Sequence, residues 1–269
     1  MKKIYVLVAS LAIILSACND ESTPSPGNDV NEEWFVIGEG QTDQGEMTIT
    51  LYANETLETG YQKMQVAVTD KNGSFLNDAD VMFMPMMDMG DMKHSAPIEQ
   101  PTATSAGQGR YEGAVIFQMP GENAWTLRVT VKNPNGGVTG SITFPVQVAK
   151  AAWNSCKVFQ PQDSSAPLIV TWIEPRNPEV GVNDLEWTVH KRASMMSFPA
   201  VENFQIAIEP TMPSMGHGSP NNNDPVHMNS GHYMGKVNFT MTGVWRIAYS
   251  LSDDTHVVDD KQYFEITIP

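Results

Sequence analysis

One string of residues occurs twice in this chain. Gly109, Tyr111, Gly113, Val115, Phe117 and Met119 recur as Gly231, Tyr233, Gly235, Val237, Phe239 and Met241, at identical spacing. Gly121, Trp125 and Leu127 follow the first copy, and Gly243, Trp245 and Ile247 follow the second. Self-similarity over so long a span means that one supersecondary plan is built twice. Within each copy the apolar residues stand at every second position, the period of a strand with one buried face. The fold must therefore be a β-structure that a stretch of roughly 100–120 residues completes by itself, the usual size of an Ig-like sandwich.

The same alternation recurs elsewhere. Met47, Ile49 and Leu51 show it, as do Met64, Val66 and Val68, then Trp125 to Val131 and Ile142 to Val148. A second set runs from Leu168 to Trp172, Leu185 to Val189, Phe204 to Ile208, Val237 to Met241, Trp245 to Leu251 and Tyr263 to Ile268. No stretch after the first few residues carries a helical stripe, and Gly, Pro and Asn-Gly turns separate the strands. The reading is all-β: two tandem Ig-like β-sandwich domains at 33–150 and 166–269, joined by a linker at 151–165. Met47, Met64, Met119 and Met241 are assigned to the cores because they sit on alternating strands.

The start of the chain reads as an address. Lys2 and Lys3 precede an apolar run from Ile4 to Leu15, too short to span a bilayer but suited to a secretory signal. It ends in Leu15-Ser16-Ala17-Cys18, which resembles the bacterial lipoprotein cleavage box. That resemblance implies a signal peptide at 1–17, lipidation of Cys18, and a membrane anchor on the bacterial cell envelope facing the periplasm or cell surface. Residues 18–32 read as the lipidated cysteine and a flexible tether. Cys156 is then the only other cysteine of the two in the chain, so no internal disulfide is expected and a buried, inert thiol is.

Composition narrows the function. With 16 basic against 31 acidic residues, the chain lacks the basic face that nucleic acid requires. It has no Gly-x-Ser-x-Gly, no His-Glu-x-x-His, no Gly-rich phosphate loop and no EF-hand spacing, so no catalytic residue is expected. Methionine is the outlier, 17 in all. Six of them, with His94, fall between Val81 and His94. Thioethers are soft neutral donors that select Cu(I), and imidazole also suits copper. The candidate ligands are Met84, Met86, Met89, Met92 and His94 in the first domain. In the second they are Met212, Met215, His217, His227, Met228, His232 and Met234. Pro85, Asp88, Gly90 and Asp91 make the segment from Met86 to His94 a loop in this reading. His190 and His256 read as surface residues. Met82 and Met84 could instead be inward strand residues.

The segment Met212-Pro213-Ser214-Met215-Gly216-His217, followed by Gly231-His232-Tyr233 and a strand ending in Met241, Gly243 and Trp245, resembles the YtkA-like/FixH-like group of bacterial extracytoplasmic domains. The similarity covers roughly residues 60–150 and 183–269, the second copy being closer. The first copy has Met86-Met87 in place of Met-Pro and extra residues before His94. The resemblance implies β-sandwiches whose Met/His loop handles copper at the envelope. Two readings follow. In one, an anchored lipoprotein binds Cu(I) for sequestration or delivery and exchanges it with a copper donor or acceptor protein. In the other, a surface module docks a partner protein through exposed methionines without metal.

Overall fold

The repeated glycines and tyrosine explain themselves once the strands are paired. A computed structural model describes residues 33–133, 137–163 and 165–269; the signal segment, Cys18 and the tether lie outside them. The first half contains β1 (Phe35–Gln41), β2 (Met47–Ala53), β3 (Gly60–Asp70), β4 (Asp80–Asp88), β5 (Lys93–His94), β6 (Ile98–Ala103), β7 (Arg110–Phe117), β8 (Gly121–Lys132) and β9 (Thr139–Val148). The second contains β10 (Cys156–Phe159), β11 (Leu168–Glu174), β12 (Gly181–Lys191), β13 (Gln205–Met212), β14 (His217–Gly218), β15 (Asn223–Asn229), β16 (His232–Phe239), β17 (Gly243–Ser252) and β18 (Val257–Ile268). No helix occurs among the described residues.

The sheets repeat strand for strand. The first half has a five-stranded sheet β1-β2-β3-β7-β6 and a four-stranded sheet β5-β4-β8-β9; the second has β10-β11-β12-β16-β15 and β14-β13-β17-β18. All the ladders are antiparallel. The expected tandem of β-sandwiches is thus present. The segment 151–165, read as a linker, contains β10, and Trp153 packs edge-on to Trp172 and Phe264.

Each repeated residue has a local task. Gly113 and Gly235 sit where a Cβ would lie 2.5 and 2.4 Å from the carbonyl oxygens of Glu99 and Asn223 on the neighbouring strand, so only glycine fits. Tyr111 donates its hydroxyl to Leu76 O and accepts from Ala79 N–H; Tyr233 does the same with Val201 O and Phe204 N–H. Each tyrosine therefore buries its ring in the core while tying down the preceding loop, as in a tyrosine corner. Trp125 and Trp245 are fully buried, and their indole N–H groups donate to Met119 O and Met241 O at 3.0 Å each.

That last bond corrects one expectation. Met47 and Met64 are core residues, but Met119 and Met241 are 38% and 36% exposed. Strands β7 and β16 end at Phe117 and Phe239. Beyond them the backbone turns to present the methionine carbonyl to the indole, and the tryptophan takes the core position.

The two halves meet through the outer faces of their five-stranded sheets. On β7, Val115 and Phe117 enter the first core while Ala114 and Ile116 point the other way. On β11, Leu168, Val170 and Trp172 enter the second core while Ile169 and Ile173 point out. These outward residues pack together with Tyr61 and Cys156 in a seam of their own. That seam explains why β11 is apolar on both faces. Cys156 is buried there, with Thr171 Oγ1 3.6 Å from its sulfur; burial pushes its thiol up to about 11, matching the inert cysteine expected. Arg176 of the second half also pairs with Glu55 of the first.

Ile116→Asp tests the seam. An unpaired carboxylate there is expected to cost roughly 2 kcal/mol or more while leaving both inner cores intact. Calorimetry should resolve two thermal transitions in the variant, against a single transition in the parent.

Candidate metal centre

Strand β4 continues to Asp88, further than the loop reading allowed, and its side chains alternate strictly. Val81, Phe83, Pro85 and Met87 face the core, while Met82 and Met84 are exposed and Met86 is half-buried. Met84 and Met86 are therefore outer-face strand residues, not members of a mobile loop, and Met82 and Met84 are not inward. The turn itself is short. Met89 N–H donates to Met92 O at 2.9 Å, Gly90 adopts a φ of +85°, and Lys93 pairs with Asp88 at 2.7 Å. Strand β5 returns at once, placing His94 opposite Met87.

His94 is buried, its ring edge-on to Trp125 with centroids 5.4 Å apart. Its Nδ1 lies 2.7 Å from the carbonyl oxygen of Ser95. A carbonyl only accepts, so Nδ1 carries the hydrogen. In the neutral ring Nε2 then keeps its lone pair, the arrangement typical of a metal-ligating histidine. His94 borders a cavity of about 250 Å³, and Met89, Met92, Met119 and Met195 border it too. The structure thus brings together Met89, Met92 and His94 of the expected set, and Met84 and Met86, on the outer face of β4, do not border this cavity. Met119 had been assigned to the core. Met195 carried no sequence expectation, although Ser194-Met195-Met196-Ser197 puts two large apolar side chains in a polar turn.

The second half repeats this end in a more open form. Pro85 faces Leu127 as Pro210 faces Ile247, so the counterpart of Met212 is Met87, not Met86. Both are core residues; Met212 is only 3% exposed. It is therefore placed at the end of β13 rather than in a loop. Met215 is 61% exposed on the following turn. His217 stands edge-on to Trp245 at 5.9 Å, as His94 does to Trp125. The residues that correspond at this end are Met215 on the turn, His217 against Trp245, and Met241, whose carbonyl accepts from the Trp245 indole.

The remaining candidates lie on the other sheet. Met228 on β15 and Met234 on β16 are exposed. His227 is half-buried, 5.3 Å from the Tyr233 ring. His232 belongs to the seam: its Nδ1 is 2.7 Å from Glu186 and its Nε2 2.5 Å from Glu99 of the first half, which also accepts the Tyr61 hydroxyl. Burial would lower the His232 pKa, but the hydrogen bonds and charges of Glu186 and Glu99 raise it to about 9. Burial is the largest influence on Glu99 and works to raise it, but the bond and charge of His232, with the Tyr61 hydroxyl and the His190 charge, together outweigh it and hold that carboxyl below its usual range. His190, read as a surface residue, is 2% exposed on β12 beside this cluster, and burial pushes its pKa to about 4. His256 is on an exposed turn, paired with Asp163 at 3.1 Å. Among the described residues no group of three or more His, Cys, Asp and Glu side chains converges as metal ligands.

Two outcomes follow. Met212→Ala should cost roughly 2–4 kcal/mol of stability and Met215→Ala less than about 0.5, measured by denaturant unfolding. The second concerns pH. Because the folded pKa of His232 lies above the ordinary imidazole value of 6.5, its stabilisation is fully present below that value and is lost as pH rises through about 9. The Glu99 contribution has the opposite sense and is lost as pH falls below the ordinary carboxylate range. The stability difference between the parent and His232→Gln should therefore narrow by roughly 1–3 kcal/mol between pH 6.5 and the region above 9.

Fold and site together define a tandem β-sandwich protein with a Met/His end on each half. The profile of the YtkA-like family matches residues 42–130 and 163–250. The chain belongs to the YtkA-like family. Comparison with curated proteins gives no match. Among solved structures, a crystal structure of a Salmonella alpha-2-macroglobulin mutant is 13% identical with a TM-score of 0.30, over 85% of this chain and 16% of that one.

Proposed function

We propose that this protein is an envelope-anchored lipoprotein that binds Cu(I) at its Met/His ends, for sequestration or delivery. The observation that carries the reading is His94. Its Nδ1–H is fixed on the Ser95 carbonyl, and it borders a cavity shared with the thioethers of Met89, Met92 and Met119. Neutral sulfur with one imidazole suits Cu(I), whereas Zn(II) prefers thiolate, imidazole and carboxylate. No carboxylate is among the residues bordering this cavity, and Arg192 is. Repulsion from a fixed positive charge doubles for a divalent ion, so the electrostatics also favour a monovalent one. Met89 and Met92 are 45% and 48% exposed, so a copper donor or acceptor protein can reach the sulfur directly. In the second half Met215, His217 and Met241 offer the same donor types, with Met215 more exposed than the first-half methionines and His217 more exposed than His94. The Leu15-Ser16-Ala17-Cys18 box supports anchoring.

The docking reading draws on Val226, Met228 and Met234, exposed side by side on β15 and β16. Metal separates the two readings, since chelation leaves a docking surface unchanged.

Two measurements test the proposal. Cys18→Ser should move the protein from the membrane fraction to the soluble one without unfolding it; retention in the membrane would contradict the anchor. In competition with a chromophoric Cu(I) chelator, Met89→Leu with Met92→Leu should weaken the first-half site by tenfold or more, about 1.4 kcal/mol. Zn(II) should bind more weakly than Cu(I) throughout. Unchanged Cu(I) affinity in that double variant would overturn the copper reading.

A further inference from the structure

The two Met/His ends are built alike but are not covered alike. At the first, residues of the other half border the cavity beside the histidine. Between β12 and β13 the chain makes a tight hairpin, with Ala193 and Ser194 N–H donating to Ser197 O and Ser194 Oγ accepting from Met196 N–H. Met195 and Met196 form its tip. The hairpin does not hang free. Ser95 N–H, next to His94, donates to Met195 O at 2.8 Å. Phe198 at its base borders the same cavity and packs against the seam. One polar anchor and one apolar one thus fix a residue of the second half beside His94, and Met195 borders the cavity while Met196 does not.

We propose that the Cu(I) site of the first half is completed across the seam by the thioether of Met195, so that the ion is held by both halves of the protein at once. This rests on the copper reading above and goes beyond it. That reading needs donors on one half only, and nothing in the repeated motif requires Met195. The consequence is an inequality between the ends. The first-half site gains a donor from the second half and is partly closed by Arg192, Met195 and Phe198. The second-half end keeps Met215 at the surface and is the faster to exchange its ion. Because the Met195 contribution exists only when the halves are docked, copper in the first-half site also strengthens the seam, by linkage.

The experiment uses the full chain with Met215→Leu and His217→Gln, which silences the second-half end. Cu(I) affinity is read by chelator competition, and the rise in Tm on Cu(I) addition is read in parallel. Three variants are compared. Met195→Leu keeps the volume and apolarity of an exposed side chain; Met196→Leu is the neighbour outside the cavity; Met92→Leu removes a donor of the first half. The expected result is at least a tenfold loss of affinity for Met195→Leu and for Met92→Leu, a smaller Tm rise in both, and no change for Met196→Leu. If Met92→Leu weakens binding and Met195→Leu does not, the cross-seam ligand is refuted and the copper reading stands. If neither changes, both are refuted. Equal loss in Met195→Leu and Met196→Leu would show that the hairpin acts through its fold rather than through one sulfur, which also refutes the proposal.

Discussion

Two buried indole N–H groups, those of Trp125 and Trp245, find their acceptors in the same way, and those two bonds shape both candidate sites. Trp125 and Trp245 fill the ends of their cores completely, where an unbonded N–H would cost about 1–3 kcal/mol. Each is satisfied by the carbonyl of the methionine that leaves the preceding strand. The bond draws the backbone across the end of the sandwich and turns the Met119 and Met241 side chains outward. The indole also gives a histidine its edge-on neighbour, His94 in one half and His217 in the other. Core packing, strand termination and the meeting of sulfur with imidazole are therefore one arrangement, made twice.

The copies diverge at the seam. Outward-facing Ile116 and Ile169 and the polar cluster of Tyr61, Glu99, His232 and Glu186 hold the halves together. Such a cluster is strongly destabilising when one partner is removed, because a buried charge is then left alone. Its directional bonds favour one register of the halves over a sliding apolar contact. With that register set, the Met195 hairpin reaches only one of the two Met/His ends, and a duplicated module gains two unequal sites.

Much of this was legible in the sequence. Strict alternation along Val115, Phe117 and their counterparts gave the sandwiches. The Gly-x-Tyr-x-Gly spacing located the equivalent loops, and the clustering of Met89, Met92 and His94 located one end. What was not legible has physical causes. The turn residues Asp88, Gly90 and Asp91 suggested a loop from Met86 onward, but β4 runs to Asp88 because its inner face, Phe83 to Met87, is core. Met212 looked like a loop ligand because Pro213 follows it, yet it ends a strand and fills the core. Met119 looked like core because alternation cannot anticipate that a tryptophan six residues later will claim its carbonyl. His190 was misread as a surface residue, and the place of His232 between Glu186 and Glu99 was not foreseen, because the seam joins β-strands far apart in sequence and local pattern carries no trace of such a contact. Met195 escaped for the same reason.

The most direct test is X-ray absorption at the copper edge of the full chain loaded with Cu(I). Sulfur and imidazole nitrogen together in the first shell, with the sulfur contribution reduced on Met119→Leu, is the predicted result. A shell of nitrogen and oxygen alone, or a thiolate shell that disappears on Cys156→Ser, would contradict it.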